Sequence, residues 1–216
     1  RLARLVVAGV PILLVPAPNT RIDLAGFGHV ILNEQISNFG SASAELVVNM
    51  IHVVVTLSNP LVPVGTDIVV AHAKSELVAT DIAGFLDGSA YGTTVKVGSA
   101  FLSGRSALVV QGCRGTNGAV ETNSIASVVL PPHSSTGLVT NTASGVVNST
   151  SASGETTSTV EALNLLSSLL TVDLVRADAH SFTDGNTFTF THVGSRFVNL
   201  SVSGFPQITD DVPPNT

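Results

Sequence analysis

"AELVVNMIHVVVTL" occupies residues 44–57 and is apolar at both its odd and its even positions. A strand with one wet face alternates, whereas a β-branched run apolar on both faces reads as a strand buried between two layers. The turn "SNPLVPVG" (58–65) follows it and "TDIVVAHAKSEL" (66–77) returns, so 44–77 is expected to form an antiparallel pair. Upstream, "RIDLAGFGHVILNEQ" (21–35) reads as two short strands around Gly26 and Gly28.

Downstream, "LVATDIAGFLDG" (77–88) loses the alternation and ends on the turn signal Asp87-Gly88, which marks a boundary. Beyond it come "AYGTTVKVG", "SALVVQG", "NSIASVVL", "GLVTNTASGVVNST" and "GETTSTVEAL", short Val/Thr/Ser runs flanked by Gly, Pro or Asn. That punctuation belongs to an all-β body: a multi-stranded antiparallel β-sandwich or jelly-roll-like domain with little or no helix. "EALNLLSSLL" (161–170) has some helical character, but a short turn leading into the strand "TVDLVRADAHSF" (171–182) fits better. The polar stretch 137–160 keeps Val139, Val146 and Val147, so polar surface strands compete there with a disordered linker.

Composition narrows the function classes. Of 216 residues, 44 % are hydrophobic and only 11 % charged, against roughly 25 % charged in an ordinary soluble domain. Ser, Thr, Asn and Gly fill the gap, which suggests a surface of hydroxyls and amides suited to neutral side-by-side packing. The net charge is -6, the only lysines are Lys74 and Lys96, and the arginines are scattered. Without a basic stripe no nucleic-acid partner is expected, and no polybasic membrane patch either. No apolar run reaches the ~18–20 residues of a spanning helix, so membrane insertion is not expected. Cys113 is the only cysteine, which excludes an internal disulfide; it reads as an inert or semi-buried thiol.

The two ends of the chain repeat one another. "RLARLVVAGVPIL" (1–13) lies over "RFVNLSVSGFPQI" (196–208) with identities at Arg, Leu, Val, Gly and Pro, and "PNT" (18–20) meets "PNT" (214–216). Leu2/Phe197, Val10/Phe205 and Leu13/Ile208 keep apolar character at three further positions. The opening stretch resembles a secretory signal peptide in outline, but its closing copy alternates as a half-solvated strand, so a strand is expected at both ends. The chain then starts and stops at nearly one place in a cycle of about 195 residues. On that view 1–76 closes one repeat unit (its strand 1–20 repeated at 196–216), 77–88 is a boundary segment, and 89–216 opens the next unit.

Several segments resemble the choice-of-anchor P proteins: "PNTRIDLAGFGHVILNEQ" (18–35), "VVNMIHVVV" (47–55), "VGTDIVVAHAKSEL" (64–77), "SAYGTTVKV" (89–97), "EALNLLSSLLTVDLVRADAH" (161–180) and "RFVNLSVSGFP" (196–206). The resemblance spans most of the chain and rests mainly on the "PNTRIDL…LNEQ" and "LNLL…D" stretches. It implies a bacterial exported, cell-surface protein, of a family named for its varied C-terminal sorting signals. The family's order is altered here, because its last two blocks come first, in keeping with the terminal repeat. No sorting signal is visible in this sequence, and the resemblance brings no catalytic residues.

Motifs for chemistry are sparse. His29, His52, His72, His133, His180 and His192 form no close metal-ligand spacing, and no metal or cofactor is expected. His52 and His72 sit on the two strands of the 44–77 pair and are expected to face each other as a structural pair. Asp184-Gly185-Asn186 and Asp210-Asp211 lack the full calcium-loop series and read as turns. Glu34 and Glu45 read as strand-end carboxylates, no nucleophile elbow or phosphate loop occurs, and no enzyme activity is expected. Lys74 and Lys96 are candidates for Lys–Asn isopeptide links. The expected function is a structural subunit of an extracellular filament, its partner a further copy of itself joined head to tail, by β-strand complementation or as a tandem-repeat chain. Its interface would use Leu2, Leu5, Val7, Val10, Ile12 and Leu14 at one end and Phe197, Leu200 and Val202 at the other. An adhesin or carbohydrate-binding sandwich is the alternative, disfavoured by 5 % aromatics and no Trp.

Overall fold

The computed structural model of the chain describes residues 5–7, 10–12, 17–40, 43–58, 62–78, 84–98, 101–130 and 133–203. Among them there is no helix, and the fold is an antiparallel sandwich of two sheets. Each sheet comes from one contiguous part of the chain. Sheet 1 runs in order through β3 (Thr20–Leu24), β4 (Gly28–Phe39), β5 (Ser43–Val55), β6 (Thr66–Val78) and β7 (Phe85–Val97), with β8 (Phe101–Leu102) and β9 (Val109–Gln111) on the far edge of β7. Sheet 2 holds β10 (Glu121–Ile125), β11 (Val128–Leu130), β12 (Ser134–Thr136), β13 (Val139–Val147), β14 (Ala152–Leu165) and β15 (Leu170–Thr183). The outer side of β15 is taken in turn by β16 (Phe188–Thr191), β17 (Arg196–Val198) and β18 (Ser201–Val202).

The strands anticipated around residues 44–77 are present as β5 and β6, paired from Ser43↔Val78 to Val54↔Asp67. Leu77 pairs with Leu86 and Val78 with Phe85, neighbours within sheet 1. The change of layer comes between Gln111 and Glu121. Residues 137–160 are ordered polar strands, β13 and β14, and the "EALNLLSSLL" stretch is strand followed by turn.

β15 lies across β5 and β6, and β14 across β6 and β7. One end of the core is bulky, with Leu32, Met50, Ile51, Leu163, Leu165, Phe197 and Leu200 all fully buried. The other end sets small residues around Leu77 and Leu86: Ala73, Ser75, Ala90, Ala143, Ala152, Thr156, Ala177, Ala179 and Ser181 are buried there. Hydroxyls cross between layers at this end. Ser75 Oγ meets Ser181 Oγ at 2.6 Å, Thr156 Oγ1 donates to the Lys74 carbonyl at 2.9 Å, and Ser158 Oγ donates to the Tyr91 carbonyl at 3.0 Å. The Ser/Thr richness that suggests a polar surface therefore also lines the core.

The two strands that meet at Ser75 and Ser181 carry matching sequence. Asp67-Ile-Val-Val-Ala-His-Ala-Lys-Ser75 and Asp173-Leu-Val-Arg-Ala-Asp-Ala-His-Ser181 share Asp, Val, Ala, Ala and Ser at the same five places. Paired small residues let the layers approach, and each hydroxyl finds its partner in its counterpart. A buried hydroxyl left alone costs about 1–3 kcal/mol, while removing both members of a pair costs much less. We therefore expect Ser75→Ala and Ser181→Ala each to lower unfolding stability by about that amount in urea titrations, and the double variant to cost clearly less than the sum.

Candidate functional site

Sheet 1 is creased along one line. The ladder between β4 and β5 skips Asn33 and Met50, that between β5 and β6 skips Met50 and Ala71, and that between β6 and β7 skips Ala71 and Gly92. Asn33 and Ala71 have φ of 49° and 53°, the left-handed region that L side chains avoid. The crease shifts the inside–outside alternation by one, so that Met50 and Ile51 both face the core. It explains why 44–57 looks apolar on both faces. A Cβ on Gly92 would run into Val139 of sheet 2, so the residue closing this line has to be glycine.

Immediately beside the crease, on the outer face, stands a single cross-strand row: Glu34, Asn49, His72 and Tyr91, each in register with the next. Asn49 Nδ2 donates to Glu34 Oε2 at 2.6 Å, and His72 Nδ1 bonds Asn49 Oδ1 at 2.6 Å. The His72 ring stacks on Tyr91 at 4.3 Å between centroids, and the Arg105 guanidinium lies 5.0 Å from the Tyr91 ring centre. His52 closes the network from the next row. Its Nδ1 meets Glu34 Oε2 at 2.9 Å and its Nε2 meets Asp67 Oδ2 at 3.1 Å. His52 and His72 thus share a face, but they are joined through Glu34 and Asn49 instead of facing each other. Glu34 is not a strand-end carboxylate; it sits mid-strand at the centre of the network.

The two histidines are held in opposite charge states. Bonds to Asp67 and then Glu34 outweigh burial and raise His52 to about 10, so it is an imidazolium with both N–H groups spent. Burial first, then the nearby Arg105 and Lys74 charges, lower His72 to about 4, so it is neutral and its Nδ1–H is the donor to Asn49. Burial pushes Glu34 up, but the bonds from His52 and Asn49 outweigh it and keep the carboxylate below its usual range. Neither His52 nor Glu34 is free to act as a base. Among the described residues no group of three His, Cys, Asp or Glu is placed to hold a metal ion.

Lys74 stands further along the same face, ringed by Glu76 at 2.7 Å, Glu45 at 2.9 Å and Asp87 at 3.4 Å. Burial lowers its pKa, but the Glu76 and Glu45 carboxylates outweigh that and hold the ammonium charged, the unreactive form for an isopeptide link. On sheet 2 a cavity of about 110 Å³ is lined by Gly118, Ser144, Gly145, Val146, Ser153, Glu155 and His180. Ser153 Oγ lies 3.0 Å from His180 Nε2, the spacing of a nucleophile and its base. No acid bonds His180 Nδ1, however, and the neighbouring amides are spent: Gly145 N–H on Thr116 Oγ1 and Gly118 N–H on the Gly145 carbonyl. Asp184 accepts from the amides of Asn186 and Thr187, an ordinary turn, and Cys113 is exposed instead of semi-buried.

The residues expected at an assembly interface fall into two places. Phe197, Leu200 and Val202 are buried to within 4 % in the chain's own core, where they join one apolar cluster with Val172 and Val175 of β15 and with Ile22, Leu24 and Val30 of sheet 1. β17 and β18 carry them along the outer side of β15. The opening copy is divided: Leu5–Val7 forms β1 and Val10–Ile12 forms β2, paired Leu5↔Ile12 and Val7↔Val10. This two-stranded sheet is separate from the two large ones. Leu2 and Leu14 lie outside the described residues, as do Phe205 and Asp210-Asp211. No family model matches the chain, and no curated protein and no solved structure matches it either.

The opposed charge states of the two histidines set a pH optimum. A histidine raised above its ordinary 6.5 stabilises the fold fully below 6.5, and that contribution is lost as pH rises through 10, the case of His52. A histidine buried neutral is penalised when the unfolded chain takes up protons first, so His72 costs stability as pH falls from 6.5 toward 4. Thermal unfolding should therefore show a maximum near pH 6.5, with His52→Gln flattening the alkaline limb and His72→Gln the acid limb.

Proposed function

We propose that the protein is a structural, non-enzymatic unit of an extracellular bacterial surface fibre, its units joined head to tail through the duplicated terminal strand. One observation carries the reading. Of the two matching stretches, the closing one is docked on β15 with its three anchors buried, while among the described residues the opening one, at Leu5–Val7, is paired with β2. A strand edge that accepts one copy offers the second copy the same backbone hydrogen bonds and the same pockets at alternate side chains. A head-to-tail contact of this kind does not close on itself, so it propagates as a filament.

The resemblance to the choice-of-anchor P proteins supports an exported, cell-surface setting. The tied-up network on sheet 1 supports a scaffolding role, because its strongest acid and base are spent on each other across neighbouring strands. An adhesin reading has less support. The exposed Phe39 meets the half-buried Phe190 edge to face at 75°, which gives no flat platform for a sugar ring.

Negative-stain electron microscopy of the full chain, taken across a concentration series, tests the proposal. Ordered filaments are expected, and Leu5→Asp with Val7→Asp should abolish them while the circular-dichroism spectrum stays β-type. Single particles at every concentration would refute assembly by strand complementation between separate chains.

A further inference from the structure

We propose that the edge of β15 from Leu170 to Arg176 is an acceptor groove for the Arg1–Val7 strand of a second copy, and that the chain's own 196–202 strand caps it until displaced. This rests on the strand-complementation reading above and adds the acceptor residues and the control step. Arg1–Val7 aligns with Arg196–Val202 without a gap, so Leu2, Leu5 and Val7 correspond to Phe197, Leu200 and Val202. Those three are 2 %, 1 % and 4 % exposed, which identifies three pockets that the opening copy's side chains match in character.

The cap is short. It pairs with β15 in one register over Arg196–Val198 and Ser201–Val202, with a single irregularity at Asn199, whose φ is 52°. The opening copy has Leu5-Val6-Val7 where the cap has Leu200-Ser201-Val202, a run with higher β-propensity. It also has Arg4 where the cap has Asn199, and Asn199 Nδ2 donates to Asp173 Oδ2 at 2.6 Å. Asp173 is exposed on β15, so an incoming arginine would meet a carboxylate there and replace a neutral hydrogen bond with a charge-assisted one. Against this, the cap is tethered and faces its groove at an effective concentration in the ~mM range. A lone chain therefore stays closed at low concentration, and exchange is limited by release of the cap.

The test compares initial assembly rates of the full chain by light scattering at matched concentration, with filaments checked by microscopy. Leu200→Ala weakens the cap and leaves the donor strand untouched, so it should speed assembly by roughly tenfold or more. Arg4→Asp sets a carboxylate against Asp173 and leaves the cap's Asn199–Asp173 bond intact, so it should slow assembly by roughly threefold to tenfold. Asp173→Asn, which keeps an oxygen for Asn199, should restore most of the rate to the Arg4→Asp chain. If L200A slows assembly as L5D does, or the double variant stays as slow as R4D, the capped groove is wrong although the fibre reading stands. If the wild-type chain and every variant remain single particles, the fibre reading fails and this inference with it.

Discussion

The contact on which the sandwich depends is the seam where β6 and β15 cross. Large apolar side chains normally keep stacked sheets about 10 Å apart. Here alanines and serines let the layers close in, and the serine pair with the neighbouring threonine and serine bonds satisfies the polar groups this buries. A low-charge, hydroxyl-rich sequence can thus fold without a large apolar core at this end, provided each buried hydroxyl has its partner. Leu77 and Leu86 pack with Ala152 at this end, while most of the bulky residues are left to the other, around Met50, Leu163 and Phe197. That is the end where the terminal strand docks.

The crease in sheet 1 joins local strain to the polar network. Holding Asn33 and Ala71 at positive φ costs of order 1–3 kcal/mol each, a cost the surrounding ladders must absorb. What results is a shift of facing that places Met50 and Ile51 in the core and turns Glu34, Asn49, His72 and Tyr91 outward in one row. The network then binds four strands through side chains as well as backbone. Its carboxylates neutralise the imidazolium they hold, so the sheet bears the ion cluster with little net charge. The polar side chains of this face are paired with one another across neighbouring strands.

Much of this was legible in the residues, and the parts that were not have physical reasons. Strands β5 and β6, the polar strands β13 and β14 and the turn at Leu166–Leu169 follow from alternation and turn chemistry, which are local. The polar row was hidden because it depends on the crease: a two-residue period assigns Met50 to the outer face, and only the skipped ladder positions at Asn33, Ala71 and Gly92 correct that. His52 and His72 could be placed on neighbouring strands, but their bridging through Glu34 needed the register of β4. The match between Asp67–Ser75 and Asp173–Ser181 was in plain view as Asp-x-Val-x-Ala-x-Ala-x-Ser. Alternating small residues are common in strands, so its meaning came only from the two serines touching. Hydroxyls carry no label of inside or outside until their partners are known.

A fold that spends a strand twice invites the question of what the second copy gains. An exposed strand edge is a hazard, since unpaired N–H and C=O groups recruit any passing chain. The 196–202 strand covers β15 and buries three apolar side chains, and in a lone chain that protection is worth keeping. Its one irregularity, at Asn199, turns Phe197 and Leu200, three residues apart, both into the core. Under the proposed exchange the tether favours the chain's own cover, and the residues the two stretches share, Arg, Leu and Val at three of seven positions, direct the groove to a further copy.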